Sequence, residues 1–271
     1  MNRIQVTFDQ LKQTGEKALI PYIPVGYPAL ETTEELIRTI CESGADLLEL
    51  GVPNGDPLAD GPTIQAASTQ AIANGTTLRY CIQVVQRLRQ SGLDLPIIFM
   101  GYCNSFLAYG LESFARDAKN AGVDGLIIPD LPSTMAGPWV DIFRQHEIDL
   151  IFFLAPTTSE ERAASVVEQG TGFVYCISVT GVTGARDELP EELPQFISQA
   201  REATSLPLCV GFGISTPKHV AEVSQYADGV IVGSALLQVI NHAPKDQMHT
   251  KVREYVSSLK EATISAASST R

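Results

Sequence analysis

Positive charge is scarce: 19 Lys and Arg stand against 31 Asp and Glu in 271 residues, a formal net charge of −12. A field of that sign repels phosphate backbones and anionic lipid, so neither nucleic acid nor a membrane surface is expected as a partner. Long hydrophobic runs are missing too. No apolar stretch approaches the roughly 20 residues that span a bilayer, and the opening MNRIQVTFDQLKQ lacks the basic-then-apolar layout of a secretory signal. A cytoplasmic protein is expected. The cysteines Cys41, Cys81, Cys103, Cys176 and Cys209 are odd in number and never spaced CxxC, which suits small buried hydrophobes rather than disulfides. His146, His219, His242 and His249 are scattered outside the strand-like runs, so no transition-metal site is expected. GxxxxGK[ST] is absent and GxGxxG follows no strand-like run, which argues against nucleotide hydrolysis and a Rossmann cofactor site. Lys12, Lys17, Lys119, Lys218, Lys245, Lys251 and Lys260 fall in helical patterns, termini or ahead of a strand, leaving a Schiff-base aldolase no nucleophile.

What is present is apolar material for a large core: 44% hydrophobic and 18% charged residues. Runs rich in Val, Ile, Leu and Phe alternate with longer amphipathic stretches, the pattern of a βαβ series. Eight strand candidates follow one another: residues 18–26, 46–52, 95–102, 125–130, 150–156, 173–178, 206–213 and 229–234. Between them lie patterns such as TEELIRTICESG and ESFARDAKNAG, with capping residues at the start and Gly near the end. Eight βα units without a Gly/Ser/Pro-rich linker predict a single α/β domain over 1–271, a (β/α)8 TIM barrel, with a doubly wound open sheet as the structural alternative. VTFDQLKQTGE is expected as an extra N-terminal helix plugging the barrel's bottom. QMHTKVREYVSSLKEATI is expected as the last outer helix, and residues 265–271 as a frayed tail.

In such barrels catalytic groups come from the C-terminal ends of strands and the loops that follow. Alternation in DLLELGV puts Glu49 on one face with Leu47 and Gly51, a carboxylate embedded in an apolar strand with no Lys or Arg in the neighbouring runs. A buried structural ion pair is the plain alternative; a catalytic acid with a raised pKa is the reading favoured by position. The loop Pro53 to Pro62 holds Asp56, suited to starting a turn, and Asp60, which ahead of Gly-Pro could be a turn or cap residue. Two carboxylates in differing environments can divide acid and base work, which favours Asp60 as Glu49's companion. Ser178 to Arg186, with its Thr-Gly pairs, has the composition of an active-site lid. Gly211-Phe212-Gly213 after the seventh strand and Gly233-Ser234 after the eighth suit backbone binding of a phosphate. Together these features point to proton transfer on a phosphorylated small molecule.

The motifs carry a family resemblance over nearly the whole chain. LELGVPNGDPLADGPTIQ, PYIPVGYP, GVDGLIIPDLP, FVYCISVTGVTGAR, VGFGIS and ADGVIVGSAL resemble, in order, the blocks of the tryptophan synthase α subunit family. The resemblance implies cleavage of indole-3-glycerol phosphate to indole and glyceraldehyde 3-phosphate. It also implies a β subunit that receives the indole and carries pyridoxal phosphate, an α2β2 complex, and no cofactor or metal in this chain. Carried over by position, Glu49 would be the general acid/base and Asp60 the residue that holds the indole N–H. Tyr175 and Phe212 would wall the indole, with Tyr22 either a further wall or a structural Tyr of the first strand, Thr183 would be the lid residue packing on Asp60, and Gly184, Gly213, Gly233 and Ser234 would bind phosphate. Two departures stand out. Asn54-Gly55 replaces the usual Phe-Ser, and Ser105 stands where a Pro commonly follows the Asn, both in loops that the resemblance implies face the β subunit. Gly55 predicts a more mobile loop. A stand-alone indole-releasing lyase and a non-catalytic phospho-ligand-binding subunit are the competing functions; a phosphosugar epimerase is disfavoured by the missing His/metal set.

Overall fold

All seven residues of β1 (Ala18–Pro24) are buried, and so are all four of β2 (Leu48–Gly51) and β3 (Ile97–Met100). Strands covered on both faces must be apolar throughout, which is why these segments read as continuous runs rather than alternating ones. In the computed structural model, which describes residues 2–178 and 189–268, they are joined by β4 (Gly125–Ile127), β5 (Asp149–Ile151), β6 (Phe153–Leu154), β7 (Val174–Ile177), β8 (Leu208–Gly211) and β9 (Gly229–Val232). Every pairing is parallel, in the order β5-β4-β3-β2-β1-β9-β8-β7-β6. β5 and β6 are two arms of the expected fifth strand, broken at Phe152, whose carbonyl still accepts the Tyr175 N–H at 3.0 Å. The nine segments therefore occupy eight positions of one barrel with helices outside, and the open doubly wound sheet is excluded.

The expected N-terminal helix forms, but over Arg3–Thr14 rather than 6–16. Asn2 caps it by accepting the Ile4 N–H at 2.9 Å, and Gly15 ends it in the left-handed region at φ 78°. Its buried residues Ile4, Phe8 and Leu11 share one face. Ile4 fills the space over Gly125 beside Ile151, and Phe8 meets Phe173 edge-on at 6.0 Å, so the helix closes the bottom of the barrel. At the other end of the chain the last helix, Met248–Ser268, carries helical backbone into the expected tail.

A fourfold device, not anticipated from the sequence, locks that bottom rim. Asp46, Asp124, Thr171 and Asp228 each precede a strand, and each donates its backbone N–H to the carbonyl of a residue on the preceding barrel strand: Leu19, Ile97, Leu150 and Leu208, at 2.8–3.0 Å. The side chain of each then accepts the N–H of that same residue, at 2.8 Å for the aspartates and 3.0 Å for Thr171. The result is four closed two-bond rings, one per pair of strands. Cations complete three of them: Lys260 on Asp46 (3.0 Å), Arg89 on Asp124 (2.7 Å) and Arg201 on Asp228. The N-terminal rim is thus committed to stability, which leaves the opposite rim to chemistry.

Candidate active site

β1 and β2 lie in a register that sets Tyr22 beside Glu49. Both project into one cavity, which Asp60, Tyr175, Phe212, Gly213, Gly233 and Ser234 also line. Glu49 is 1% exposed and its Oε2 has no hydrogen-bond partner. Burial, and then the negative charge of Asp60, push its carboxyl up to about 8. Among the described residues no cation is paired with it, so the structural ion pair is excluded and a carboxylic acid poised near neutrality stands in its place. Asp60 is 4% exposed, also with one unpartnered oxygen, Oδ1. Burial raises it to about 6, while a hydrogen bond from the Tyr102 hydroxyl works in the other direction. The helix Pro62–Ala73 has Gly61 at its N-cap and no side-chain cap, so the Asp60 carboxylate does not cap it, while the Asp60 backbone N–H closes a turn onto the Pro57 carbonyl at 3.0 Å. Asp56 behaves as the turn residue expected, its carbonyl accepting the Leu58 N–H at 3.1 Å.

Aromatic rings wall the space between these acids and the opposite strands. Tyr175 stands at 5.8 Å and 71° from Phe212 and packs on Phe153 at 4.8 Å. Two glycines make room for the phenols: a Cβ at Gly51 would lie 2.8 Å from Tyr22 Cζ, and one at Gly211 2.6 Å from Tyr175 Cζ. Phe212 itself adopts φ 72°, a left-handed conformation uncommon for a bulky residue, followed by Gly213 at φ 82°. The Ser178 hydroxyl holds that turn by donating to the Phe212 carbonyl. Across the cavity Gly233 is the N-cap of the helix Ser234–His242, with no side-chain cap, so first-turn N–H groups are left without intrahelical partners. The expected site residues Tyr22, Glu49, Asp60, Tyr175, Phe212, Gly213, Gly233 and Ser234 thus meet in one place. Thr183 and Gly184 lie outside the described residues.

The family model described as tryptophan synthase alpha chain matches residues 8–264. The chain belongs to the tryptophan synthase α chain family. Curated relatives agree: a tryptophan synthase alpha chain of Roseiflexus sp. (strain RS-1) is 51% identical over 96% of this chain and 100% of its own length. One from Caldanaerobacter subterraneus subsp. tengcongensis is 45% identical over 96% and 99%. Among solved structures, the α subunit of tryptophan synthase from Legionella pneumophila superposes with a TM-score of 0.91 at 37% identity, covering 98% of this chain and 99% of that one. A tryptophan synthase structure from Mycobacterium tuberculosis gives 0.89 at 36% identity over 97% and 98%. Tryptophan synthase α chains are lyases that cleave indole-3-glycerol phosphate, carry no cofactor, and work with a β subunit that holds the pyridoxal phosphate.

Within this family frame three findings go beyond or against the sequence. Tyr102, at the end of the third strand run, reaches Asp60 and also accepts the Ala59 N–H at 3.1 Å; a phenol at a barrel strand's C-terminal end was the available signal. The loop predicted to be mobile is anchored at its start: Asn54 is buried and hydrogen-bonded on both sides, whereas Gly55, Asp56 and Leu58 beyond it are exposed. And of the five cysteines, Cys81, Cys176 and Cys209 are the buried hydrophobes expected, whereas Cys41 and Cys103 are half-buried.

Proposed function

We propose that this chain cleaves indole-3-glycerol phosphate with Glu49 as general acid/base and Asp60 as the anchor for the indole N–H. Two buried carboxylates, each with an oxygen left unpartnered toward one aromatic-walled cavity, carry the assignment. Glu49, raised to about 8, holds its proton at neutral pH and delivers it to the indole ring carbon that bears the glycerol chain. The ring becomes an indoleninium, an electron sink that needs no Schiff base. Asp60, raised only to about 6, is ionised at that pH, accepts the indole N–H and stabilises the positive charge. Glu49, now a carboxylate, takes the proton of the adjacent glycerol hydroxyl. The carbon–carbon bond breaks, its electron pair restores the indole, and the glycerol carbon leaves as the aldehyde of glyceraldehyde 3-phosphate.

Tyr22, Tyr175 and Phe212 hold the ring in this scheme, and Thr183 takes the lid role that the family resemblance gives it. Backbone N–H groups at Gly184, Gly213, Gly233 and Ser234 take the phosphate, helped by the dipole of the helix that opens at Ser234. We further place the chain as one domain of a cytoplasmic α2β2 complex. Leu58, Leu107 and Met135, 74%, 56% and 71% exposed, follow β2, β3 and β4 on the C-terminal side and offer apolar contacts for the β subunit. No helix among the described residues is long and apolar enough to cross a membrane. The test is indole release from indole-3-glycerol phosphate by the purified chain, with and without a β subunit. Slow release accelerated by the partner and abolished by Glu49→Gln is expected. Fast release without a partner would mark a stand-alone lyase, and ligand binding without release a binding subunit.

A further inference from the structure

The loop between β2 and the helix Pro62–Ala73 carries Asp60 yet has little packing to hold it. Leu58 stands in solvent and nothing lies within 4 Å of a Cβ placed on Gly55. Polar contacts hold it instead, and most converge on Asn54. Its Nδ2 donates to Asn104 Oδ1 at 2.8 Å and Ser105 Oγ at 3.2 Å, and its Oδ1 accepts the Asp56 N–H at 2.8 Å. Its backbone N–H donates to Ser68 Oγ at 3.0 Å, and that hydroxyl donates back to the Asn54 carbonyl at 3.2 Å. The amide orientation is fixed, because the Asp56 N–H can only donate and so must face Oδ1.

Asn104 and Ser105 open the helix Cys103–Tyr109, whose N-cap residue is Tyr102. Tyr102 bonds Asp60 and Ala59, and Asp130 accepts the Cys103 N–H at 2.9 and 3.2 Å, fixing the start of that helix to the segment after β4. One helix start therefore grips the Asp60 loop at both ends, through Asn54 near Glu49 and through Tyr102 at Asp60. The Phe and Pro expected at 54 and 105 from the family resemblance could not make the Asn54–Ser105 bond. The two departures are a matched pair.

We propose that Asn54 is a positioning residue for the cleavage reaction: its carboxamide latches the Asp60 loop onto the helix Cys103–Tyr109 and keeps that loop organised without the β subunit, a role that rests on the lyase assignment above. Asp60 must meet the indole N–H within hydrogen-bond reach, and a misplacement near 1 Å can cost as much as about 10²-fold in rate.

The test measures kcat and KM for indole-3-glycerol phosphate cleavage by the full chain, free and with the β subunit, for wild type, Asn54→Ala and the double variant Asn104→Ala/Ser105→Ala. The double variant leaves loop and barrel untouched and places alanine at helical positions where it is well tolerated, so it stands in if Asn54→Ala folds poorly. In the free chain each is expected to lower kcat roughly tenfold, with KM within about twofold because the phosphate is held at other loops. Adding the β subunit should restore the variants proportionally more than wild type, and combining all three changes should cost no more than Asn54→Ala alone. Unchanged kcat in the free chain, or an equal loss with and without the β subunit, would overturn the latch. Absence of cleavage by wild type itself, free and in complex, would strike the lyase assignment instead.

Discussion

Glu49→Gln removes a charge while keeping the shape, and its effects on activity and stability should point in opposite directions. The unfolded chain ionises this group near 4.5, and burial in the folded chain pushes it up to about 8. Between those values the unfolded state binds fewer protons than the native one, so stability falls as pH rises through that window and levels off above it. Each pH unit is worth about 1.4 kcal/mol. Wild type therefore carries almost no penalty below pH 4, roughly 3 kcal/mol at pH 7 and up to about 5 kcal/mol above pH 9, all of which Gln lifts. Urea unfolding at pH 5, 7 and 9, with slopes compared to exclude a change in the unfolded state, should show the variant gaining on wild type steadily with pH. Burying the Gln amide adds a constant offset and leaves that slope alone. Turnover should fall by about 10² to 10⁴ with ligand binding retained. A stability difference that does not change with pH, or a variant that loses ground at high pH, would refute the buried, unpaired carboxyl; near-wild-type turnover would refute its role.

Asp60→Asn removes the charge that helps hold Glu49 up, so the basic limb of the pH–rate profile should move to lower pH; an unmoved limb would show the two acids are not coupled. Gly51→Ala and Gly211→Ala force the Tyr22 and Tyr175 rings aside and should raise KM while costing about 1–3 kcal/mol of stability; unaltered substrate kinetics would remove the two phenols from the pocket wall. At the far rim, Asp124→Ala removes the carboxylate shared by Arg89, Arg3 and the Ile97 N–H and should cost about 3–5 kcal/mol in denaturant unfolding, whereas kcat of the folded fraction stays unchanged. Thr171→Ala, at the uncharged equivalent of that ring, should cost only about 1 kcal/mol.

Much of the molecule was legible in one dimension because its signals are local. Apolar runs sheathed by helices cannot alternate, so β1 and β2 announced a parallel barrel, and the polar-apolar pattern of VTFDQLKQTGE marked the N-terminal helix, though not its cap at Asn2. Glu49 stood out because a carboxylate inside an apolar strand has no local excuse. Sequence alone also placed Gly213, Gly233 and Ser234 at strand ends where helix dipoles and bare N–H groups gather. What it could not show are pairings between distant segments. Tyr102 reaches Asp60 across 42 positions of chain and Asn54 reaches Ser105 across 51, so the reading of this loop from Gly55 alone did not include the bonds that anchor its two ends. The rim rings escaped notice for the same reason: Asp46, Asp124, Thr171 and Asp228 share no spacing and not even one residue type, only a position in a closed barrel. Local propensity decided which strands and helices form; closure of the barrel decided which acids lose their water, and that loss sets their chemistry.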